Sequence, residues 1–150
     1  MRNIARSMFA SCGFALAVLA AGGAYANTPA SLDGTNLVTA DKVKALLDGG
    51  TAVIDTRVAQ EYAEGHIKGA KSVPYKEKSA KAADFDAAQD SFDLGKLPAD
   101  KNAEIVFYCN GPECWKSYKA SKAALKAGYK KVDWFRGGFP EWKSKGFQVE

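Results

Sequence analysis

One segment of this sequence, residues 105–127, leads from a strand pattern through a short loop into a helix pattern. Residues 105–108 (Ile-Val-Phe-Tyr) are β-branched or aromatic, as is typical of buried strands. Residues 118–127 are rich in Ala and Lys and are followed by Gly128, a residue that commonly ends a helix. The loop between them, residues 109–117, reads Cys-Asn-Gly-Pro-Glu-Cys-Trp-Lys-Ser. A strand that turns directly into a helix is the repeating unit of a parallel α/β sheet, which restricts the folds open to the chain.

Strand and helix patterns alternate over most of the chain. The strands are predicted at residues 52–55, 71–73, 105–108 and 131–135, and the helices between Thr39 and Gly49 and at residues 58–63, 84–89, 118–127 and 139–145. The alternation predicts an α/β fold with a central parallel sheet flanked by helices on both sides. Reactive groups in such sheets gather at the carboxyl ends of the strands, where the pattern places Asp55 and Cys109.

The first 26 residues have the pattern of an export signal peptide. Two arginines precede a mostly apolar, small-residue stretch at residues 9–21, and Ala24-Tyr25-Ala26 supplies a small-x-small cleavage motif. We predict cleavage after Ala26, and therefore a periplasmic protein that is not held at a membrane. The alternative is an uncleaved anchor, although the apolar stretch is short and rich in Ala and Gly for a spanning helix.

The rest of the chain is predicted to form a short leader and one domain. Residues 27–36 hold Pro, Ser, Gly and Thr and are predicted to be a flexible leader, and residues 37–150 suit a single domain with one core. Removal of the signal peptide takes two positive charges from a formal net charge of +4. The small charge that remains does not favour a nucleic-acid partner. The lysines are dispersed through the predicted helices and are interpreted as solvated faces.

Cys109 has the clearest chemical interpretation. The backbone N–H groups of its loop, and those of the first turn of the following helix, lack partners within the helix and favour a negative charge. A Cys109 thiolate, and an anionic sulfur or phosphorus group bound beside it, would both be stabilised there. The alternative is a small buried core residue. The other candidate loop and anion-binding residues are Asn110, Gly111, Glu113, Trp115, Lys116 and Ser117.

Cys114 is a second thiol in the same loop. Cleavage of the signal peptide removes Cys12, and the oxidising compartment beyond it would allow Cys109 and Cys114 to form a disulfide. Cys114 is therefore a candidate resolving thiol, which attacks a sulfur carried on Cys109 or closes a disulfide with it. The alternative is a loop residue that packs beside Trp115.

Other chemistries fit these residues less well. A Cys-x4-Cys pair with His66 as the one histidine supplies few ligands for a structural zinc site, so we predict no metal and no organic cofactor. A phosphatase loop needs an arginine where Trp115 stands, because an arginine fork clamps the phosphate oxygens. His66, Asp55 and Arg57 are candidates for catalysis, but we interpret all three as structural.

Three motifs resemble the rhodanese-like (sulfurtransferase) family. Residues 55–74 resemble its N-terminal signature, residues 107–117 its active-site loop, and residues 134–146 its C-terminal signature. The likeness extends over residues 37–150, and the Cys-Asn-Gly-Pro-x-Cys-Trp loop is similar to that of an exported subgroup with two cysteines. The resemblance implies a single rhodanese-type domain, with a parallel α/β sheet flanked by helices.

The resemblance also implies a reaction. Cys109 would take a sulfane sulfur as a persulfide from a small sulfur-containing anion or persulfide donor, and would pass it to a thiol or other thiophilic acceptor. Glu113 departs from the family's common loop, which holds an Arg or Lys, and its negative charge disfavours thiosulfate as the donor. Two alternatives stay open: a dithiol/disulfide redox protein that uses Cys109 and Cys114, and a non-catalytic rhodanese-fold binding module.

Overall fold

Five parallel strands form one sheet at the centre of the computed structural model, which describes residues 26–150. The strands are β1 (Thr35–Leu37), β2 (Ala52–Asp55), β3 (Lys71–Ser72), β4 (Glu104–Tyr108) and β5 (Lys131–Phe135). They lie in the order β1-β5-β4-β2-β3, so the strand that leads into the cysteine loop is central. Phe107 of β4 pairs in register with Ile54 of β2 and with Trp134 of β5. The predicted parallel α/β class is confirmed.

Helices cover both faces of this sheet. The described chain has four α-helices, α1 (Ala40–Asp48), α2 (Ala59–Glu64), α3 (Trp115–Lys126) and α4 (Gly138–Ser144), and single 3-10 turns at Ala87–Gln89 and Leu94–Lys96. Successive residues of a strand point to opposite faces. Val106 of β4 therefore packs in one core cluster with Val43 of α1 and Trp142 of α4. Phe107 packs in the other cluster, with Ala120 of α3.

Two helix predictions differ from the structure. The helix predicted at residues 84–89 is wrong, since this stretch holds a 3-10 turn at Ala87–Gln89. The Asp86 side chain accepts a hydrogen bond from the Ala88 N–H at 3.1 Å, and none of the turn residues is buried, so no apolar face stabilises a longer helix. Helix α3 begins at Trp115, three residues earlier than predicted, and its first turn therefore includes the end of the predicted loop.

Regular structure begins earlier in the chain than the composition predicts. Residues 1–25, which hold most of the predicted signal peptide, lie outside the described residues. Thr35 and Asn36, placed in the leader by the sequence, belong to β1 and pair with Val132 and Asp133 of β5. Pairing with the edge of a sheet orders residues that have no strand pattern of their own. Each helix in residues 26–150 is too short or too polar to span a bilayer.

A buried carboxyl group lies on β5, between β1 and β4. Asp133 is 1% exposed, and its Oδ1 accepts a hydrogen bond from Asn36 Nδ2 at 2.9 Å. Its Oδ2 has no hydrogen-bond partner among residues 26–150. Burial, and to a lesser extent the nearby Glu104 carboxyl group, raises the pKa of Asp133 to about 6, although the hydrogen bond from Asn36 opposes this shift. The folded state therefore retains a proton at mildly acidic pH that the unfolded state releases.

We expect Asp133 to make the fold less stable as the pH rises. The ordinary pKa of 3.8 applies to the unfolded chain, so its contribution is favourable below that value and is lost as the pH passes about 6. The loss between about pH 4 and about pH 7.5 is on the order of 2 kcal/mol. Asp133→Asn should remove this component of the pH dependence, whereas Asp84→Asn, at an exposed position, should leave it. Urea unfolding of the three proteins at both pH values measures it, and equal pH dependence in the wild type and Asp133→Asn would contradict the assignment.

Candidate active site

The two cysteines of the loop are joined in the structure. Cys109 is the first residue after β4, at the carboxyl edge of the sheet, and Cys114 is the N-cap residue of α3. Their sulfur atoms form a disulfide across Cα atoms that are 6.1 Å apart. Cys109 is 1% exposed, whereas Cys114 is half-buried. The structure is therefore that of an oxidised loop, whose less accessible sulfur belongs to the strand end.

Backbone contacts with the start of α4 fix the position of Cys109. The Phe139 N–H donates to the Cys109 carbonyl oxygen at 2.8 Å. Gly138 packs so closely that an added Cβ atom would lie 2.3 Å from the same oxygen and 2.9 Å from the Gly111 nitrogen. Gly138 also has a φ of +61°, in the left-handed region that glycine adopts readily. The turn between β5 and α4 therefore requires glycine at this position.

The middle of the loop is held from two sides. The Cys114 N–H donates to the Gly111 carbonyl oxygen at 3.0 Å and closes a turn within the loop. The Asn110 side chain is exposed, and its Nδ2 donates to Glu61 Oε1 of α2. Glu113 is exposed at the loop surface. The Asn110 amide is thus engaged by α2, while Glu113 presents its charge to solvent.

The first turn of α3 contains the last three of the predicted loop residues. Trp115 is 3% exposed, and its ring packs edge-on against that of Tyr118 with 5.2 Å between centroids. Ser117 is also buried, and its Oγ accepts a hydrogen bond from Trp134 Nε1 at 3.0 Å. Lys116 is half-buried beside the loop. The Ser117 hydroxyl is therefore hydrogen-bonded within the core, whereas Lys116 is accessible to an anion bound beside the loop.

A cleft of about 330 Å³ opens beside the disulfide, and we call it the disulfide cleft. It is lined by Glu77, Lys81, Asn110, Glu113, Cys114, Trp115 and Lys116. A neighbouring cleft of about 540 Å³ shares Glu77, Lys81 and Lys116 with it. A larger cleft of about 620 Å³ lies around Ala52, at the amino end of β2 and away from the cysteines. Within the described residues, no group of three or more His, Cys, Asp or Glu side chains is placed to hold a metal ion.

A buried ion pair lies at the carboxyl end of β2 and is hydrogen-bonded to the last residue of β4. Arg57 Nη2 donates to Asp55 Oδ2 at 2.6 Å and to the Gly65 carbonyl oxygen at 2.7 Å. The Tyr108 hydroxyl donates to the same Asp55 oxygen and accepts from the Ile67 N–H at 3.2 Å. Burial and the Asp55 carboxylate raise the pKa of the Tyr108 hydroxyl well above its ordinary value, so the hydroxyl stays protonated. These contacts agree with the structural interpretation of Asp55 and Arg57.

His66 lies in the turn between α2 and β3. Its Nδ1 is 2.8 Å from the Tyr62 carbonyl oxygen, and its ring stacks on the Tyr62 ring with 3.6 Å between centroids. Its Nε2 is 3.4 Å from Glu150 Oε1. Both ring nitrogens therefore have partners that hold the turn, which agrees with the structural interpretation of this residue.

Lys119 of α3 is a buried lysine in a helix whose lysines are predicted to be solvated. It is 0% exposed, and its Nζ donates to Ser79 Oγ at 2.8 Å and to the Ala80 carbonyl oxygen at 2.9 Å. Its Nζ also lies 2.8 Å from Glu77 Oε2, in an ion pair without hydrogen-bond alignment. The interpretation of the lysines as solvated is wrong for this one. The sequence feature that could have predicted its burial is the spacing: Lys119 follows Trp115 by four residues, so the two side chains lie on the same face of the helix.

Asp90 completes the buried cluster around Lys119. It accepts hydrogen bonds from the Ser79 hydroxyl at 2.6 Å, from the Lys78 and Ser79 N–H groups at 2.7 Å, and from the Tyr75 hydroxyl at 2.8 Å. Burial alone would raise the pKa of Asp90, but these hydrogen bonds, above all those from Ser79, hold it at about 2. Residues 75–90 are thus folded over α3 by polar contacts, and they form one wall of the disulfide cleft.

The segment before β1 packs on the other side of the loop. Thr28 is 3% exposed, and its N–H and hydroxyl each donate to the Pro112 carbonyl oxygen at 2.8 Å. Arg136 Nη2 donates to the Thr28 carbonyl oxygen at 2.8 Å, and Trp115 Nε1 donates to that of Ala26 at 2.9 Å. Thr28 of the predicted flexible leader therefore contacts the cysteine loop directly, and Ala26, the last residue of the predicted signal peptide, contacts the first residue of α3.

The sheet and the loop define the class of this protein: a parallel α/β domain with a cysteine pair at the carboxyl end of its central strand. A family model for the rhodanese-like domain matches residues 39–145, well over half of the chain. The chain belongs to the rhodanese-like domain family, and the resemblance drawn from its motifs is confirmed at the level of the family.

Two related proteins place the domain in different contexts. Thiosulfate sulfurtransferase GlpE of Pseudomonas aeruginosa is 29% identical over 107 residues, which cover 71% of this chain and 83% of GlpE. The HTH-type transcriptional regulator Rv0324 of Mycobacterium tuberculosis is 30% identical over 102 residues, which cover 68% of this chain and 38% of the regulator. The chain thus spans most of GlpE but well under half of the regulator.

A solved structure supports the fold. The thiosulfate sulfurtransferase from Pseudomonas aeruginosa superposes with a TM-score of 0.57 at 25% sequence identity. The superposition covers 77% of this chain and 20% of the other chain. The described domain therefore corresponds to one part of a longer protein in that comparison.

Proposed function

We propose that the reduced protein is an exported sulfurtransferase, which carries sulfane sulfur as a persulfide on Cys109 and passes it to a thiophilic acceptor. The observation that carries the proposal is the position of Cys109, at the end of the central strand of a rhodanese-like domain and at the start of a loop into α3. GlpE, to which the chain is similar over most of that protein's length, is named a thiosulfate sulfurtransferase. Export to the periplasm is proposed from the signal-peptide pattern of residues 1–26.

The start of α3 would support an anionic sulfur on Cys109. Cys114 is the N-cap residue, and its side chain makes no capping hydrogen bond. The first-turn N–H groups have no partners within the helix, and the helix dipole adds positive charge at this end. A thiolate or a persulfide anion is stabilised in such a place. The Cys109 thiolate would attack the sulfane sulfur of a donor and break the donor's sulfur bond as the persulfide forms.

The charges of the disulfide cleft bear on the choice of donor. Lys81 and Lys116 line the cleft with positive charge, and the buried Lys119 lies 2.8 Å from Glu77 and 3.8 Å from Asp90. Glu113 contributes a negative charge beside the cysteines. A mixture of charges in one cleft favours donors with less negative charge than the thiosulfate dianion. We therefore propose an organic persulfide, whose sulfur group carries at most one negative charge, as the better donor.

The disulfide has to be opened before this reaction starts. While the Cys109 sulfur is bonded to Cys114, it has no thiolate with which to attack a donor. After loading, a Cys114 thiolate could attack the Cys109 sulfur of the persulfide, re-form the disulfide and release hydrosulfide. Cys114 would then act as the resolving thiol.

We expect sulfur transfer to depend on Cys109. With polysulfide as donor and cyanide as acceptor, the protein that has been reduced and freed of reductant should be active. Cys109→Ser should lower the rate by at least about a hundredfold, because it removes the proposed nucleophile. Thiocyanate formation in excess of the protein-free reaction of polysulfide with cyanide measures the rate. Wild-type activity in Cys109→Ser would contradict the proposal.

The disulfide itself favours a second candidate function, that of a dithiol/disulfide redox protein. Such a protein would exchange Cys109 and Cys114 with the thiols or disulfides of a partner and would take up no sulfur. Exchange with a dithiol substrate, together with no sulfur uptake from any donor, would support this function and contradict the transferase.

A further inference from the structure

The two cysteines of the disulfide differ in exposure. Cys109 is 1% exposed, at the end of the central strand. Cys114 is half-buried and lines the disulfide cleft, and Cys109 is not among the described residues that line it. A nucleophile that enters through this cleft therefore meets the Cys114 sulfur first. Attack on a disulfide takes place at the sulfur that is reached, and the other sulfur leaves as a thiolate.

The surroundings favour attack at the Cys114 sulfur, with the Cys109 sulfur as the leaving group. Lys81 and Lys116 line the cleft with positive charge and Glu113 with negative charge, a mixture that opposes a monoanion such as hydrosulfide less than the thiosulfate dianion. Glu77 has the buried Lys119 at 2.8 Å, and Lys119 also lies 3.8 Å from Asp90. The sulfur that leaves belongs to Cys109 and is bonded to that of the N-cap residue of α3, so its thiolate forms beside the helix N-terminus, where a negative charge is stabilised. A good leaving thiolate speeds the exchange.

We propose that the oxidised protein takes up sulfide, by attack of a hydrosulfide anion on the Cys114 sulfur. A bond forms between the hydrosulfide sulfur and Cys114 Sγ, and the bond between Cys109 and Cys114 breaks. Its electron pair leaves with Cys109 as a thiolate, and the proton stays on the incoming sulfur. The disulfide is the two-electron oxidant, and the sulfide sulfur is oxidised to the sulfane level. The product is a persulfide on Cys114 beside a Cys109 thiolate.

This route loads the same site as the proposed function but from a different oxidation state. It rests on the proposed function only for the later transfer of sulfur to an acceptor. The reduced protein takes sulfane sulfur at Cys109, whereas the disulfide form takes sulfide at Cys114. Cys114 is accordingly a catalytic residue of the loading step. Each loading step consumes one disulfide, which must form again before a second sulfide can be taken up.

Mass measurement of the purified wild-type protein tests the route. The disulfide form treated with one equivalent of sodium sulfide, and then with an alkylating agent, should gain one sulfur that fragmentation of the loop peptide locates on Cys114. The reduced protein treated in the same way should gain none, because it holds no oxidant. Lys116→Gln should slow the uptake by about threefold at low ionic strength. Lys126→Gln, at an exposed position in the last turn of α3, should not slow it.

Three results would overturn the proposal: sulfur found on Cys109, reduction of the disulfide without retained sulfur, or no reaction with sulfide. Loading of the reduced protein from polysulfide, measured alongside, reports on the proposed function. Failure of one reaction with success of the other therefore shows which of the two proposals is wrong.

Discussion

Replacement of Gly138 by Ala is expected to destabilise the fold by about 4 kcal/mol or more and to remove sulfur transfer with it. The added Cβ atom would lie 2.3 Å from the Cys109 carbonyl oxygen and 2.9 Å from the Gly111 nitrogen, and both are backbone atoms that no side-chain rotation can move aside. The loop, β4 or the start of α4 would have to shift. The hydrogen bond from the Phe139 N–H to the Cys109 carbonyl oxygen would then be lost as well.

Gly146→Ala is the matched control for this substitution. Gly146 has a φ of +71°, close to the +61° of Gly138, but within residues 26–150 no neighbouring atom lies within 4 Å of the Cβ that would be added there. It should therefore show the cost of the backbone conformation alone, about 1 kcal/mol. Urea unfolding of both variants separates the two effects. Equal losses of stability would contradict the close packing of Gly138 against the cysteine loop.

The second large effect is expected for Lys119→Met, with a loss of about 3–5 kcal/mol in the free energy of unfolding. Methionine fills a similar volume but leaves the Glu77 carboxylate without its cation and Ser79 Oγ without its donor. A buried charge that has lost its partner is more costly than the pair was. The wall of the disulfide cleft formed by residues 75–90 should loosen, and hydrogen exchange of its amide groups should speed up.

Lys122→Met provides the comparison on the same helix. Lys122 is three residues further along α3 and partly exposed, and its Nζ donates to the Ala83 carbonyl oxygen at 3.0 Å. Its replacement should cost less than about 1 kcal/mol. Adding Glu77→Gln to Lys119→Met should recover part of the lost stability, because the unpaired charge is then absent. Equal effects of the two lysine substitutions would contradict the role given to the buried ion pair.

Much of the fold follows from local sequence patterns. The apolar run before Cys109 and the helix pattern after Ser117 lie next to each other in the chain, so the strand, the loop and the helix are visible without any long-range contact. The parallel sheet follows from the alternation of such units. The sequence pattern predicts the start of α3 three residues too late, because residues 115–117 do not show the Ala- and Lys-rich pattern of residues 118–127.

The parts that sequence patterns missed depend on polar contacts between distant residues. The ion pair of Lys119 with Glu77 joins an α-helix to a segment with no regular pattern, and a lysine in a helix looks solvated unless its partner is known. Thr28 contacts Pro112 across 84 residues of chain, through its hydroxyl and its backbone N–H. Neither contact leaves a periodic signal in the sequence, although both shape the surroundings of the cysteine loop.

The most direct test of the proposed persulfide is the site of sulfur uptake in reduced protein that lacks the resolving thiol. Reduced Cys114→Ser protein, freed of reductant and mixed with one equivalent of polysulfide, should gain one sulfur atom, and fragmentation should place it on Cys109. We expect this persulfide in Cys114→Ser and its absence in Cys109→Ser. A reduced Cys114→Ser protein that gains no sulfur, or that carries it at another residue, would contradict the proposal.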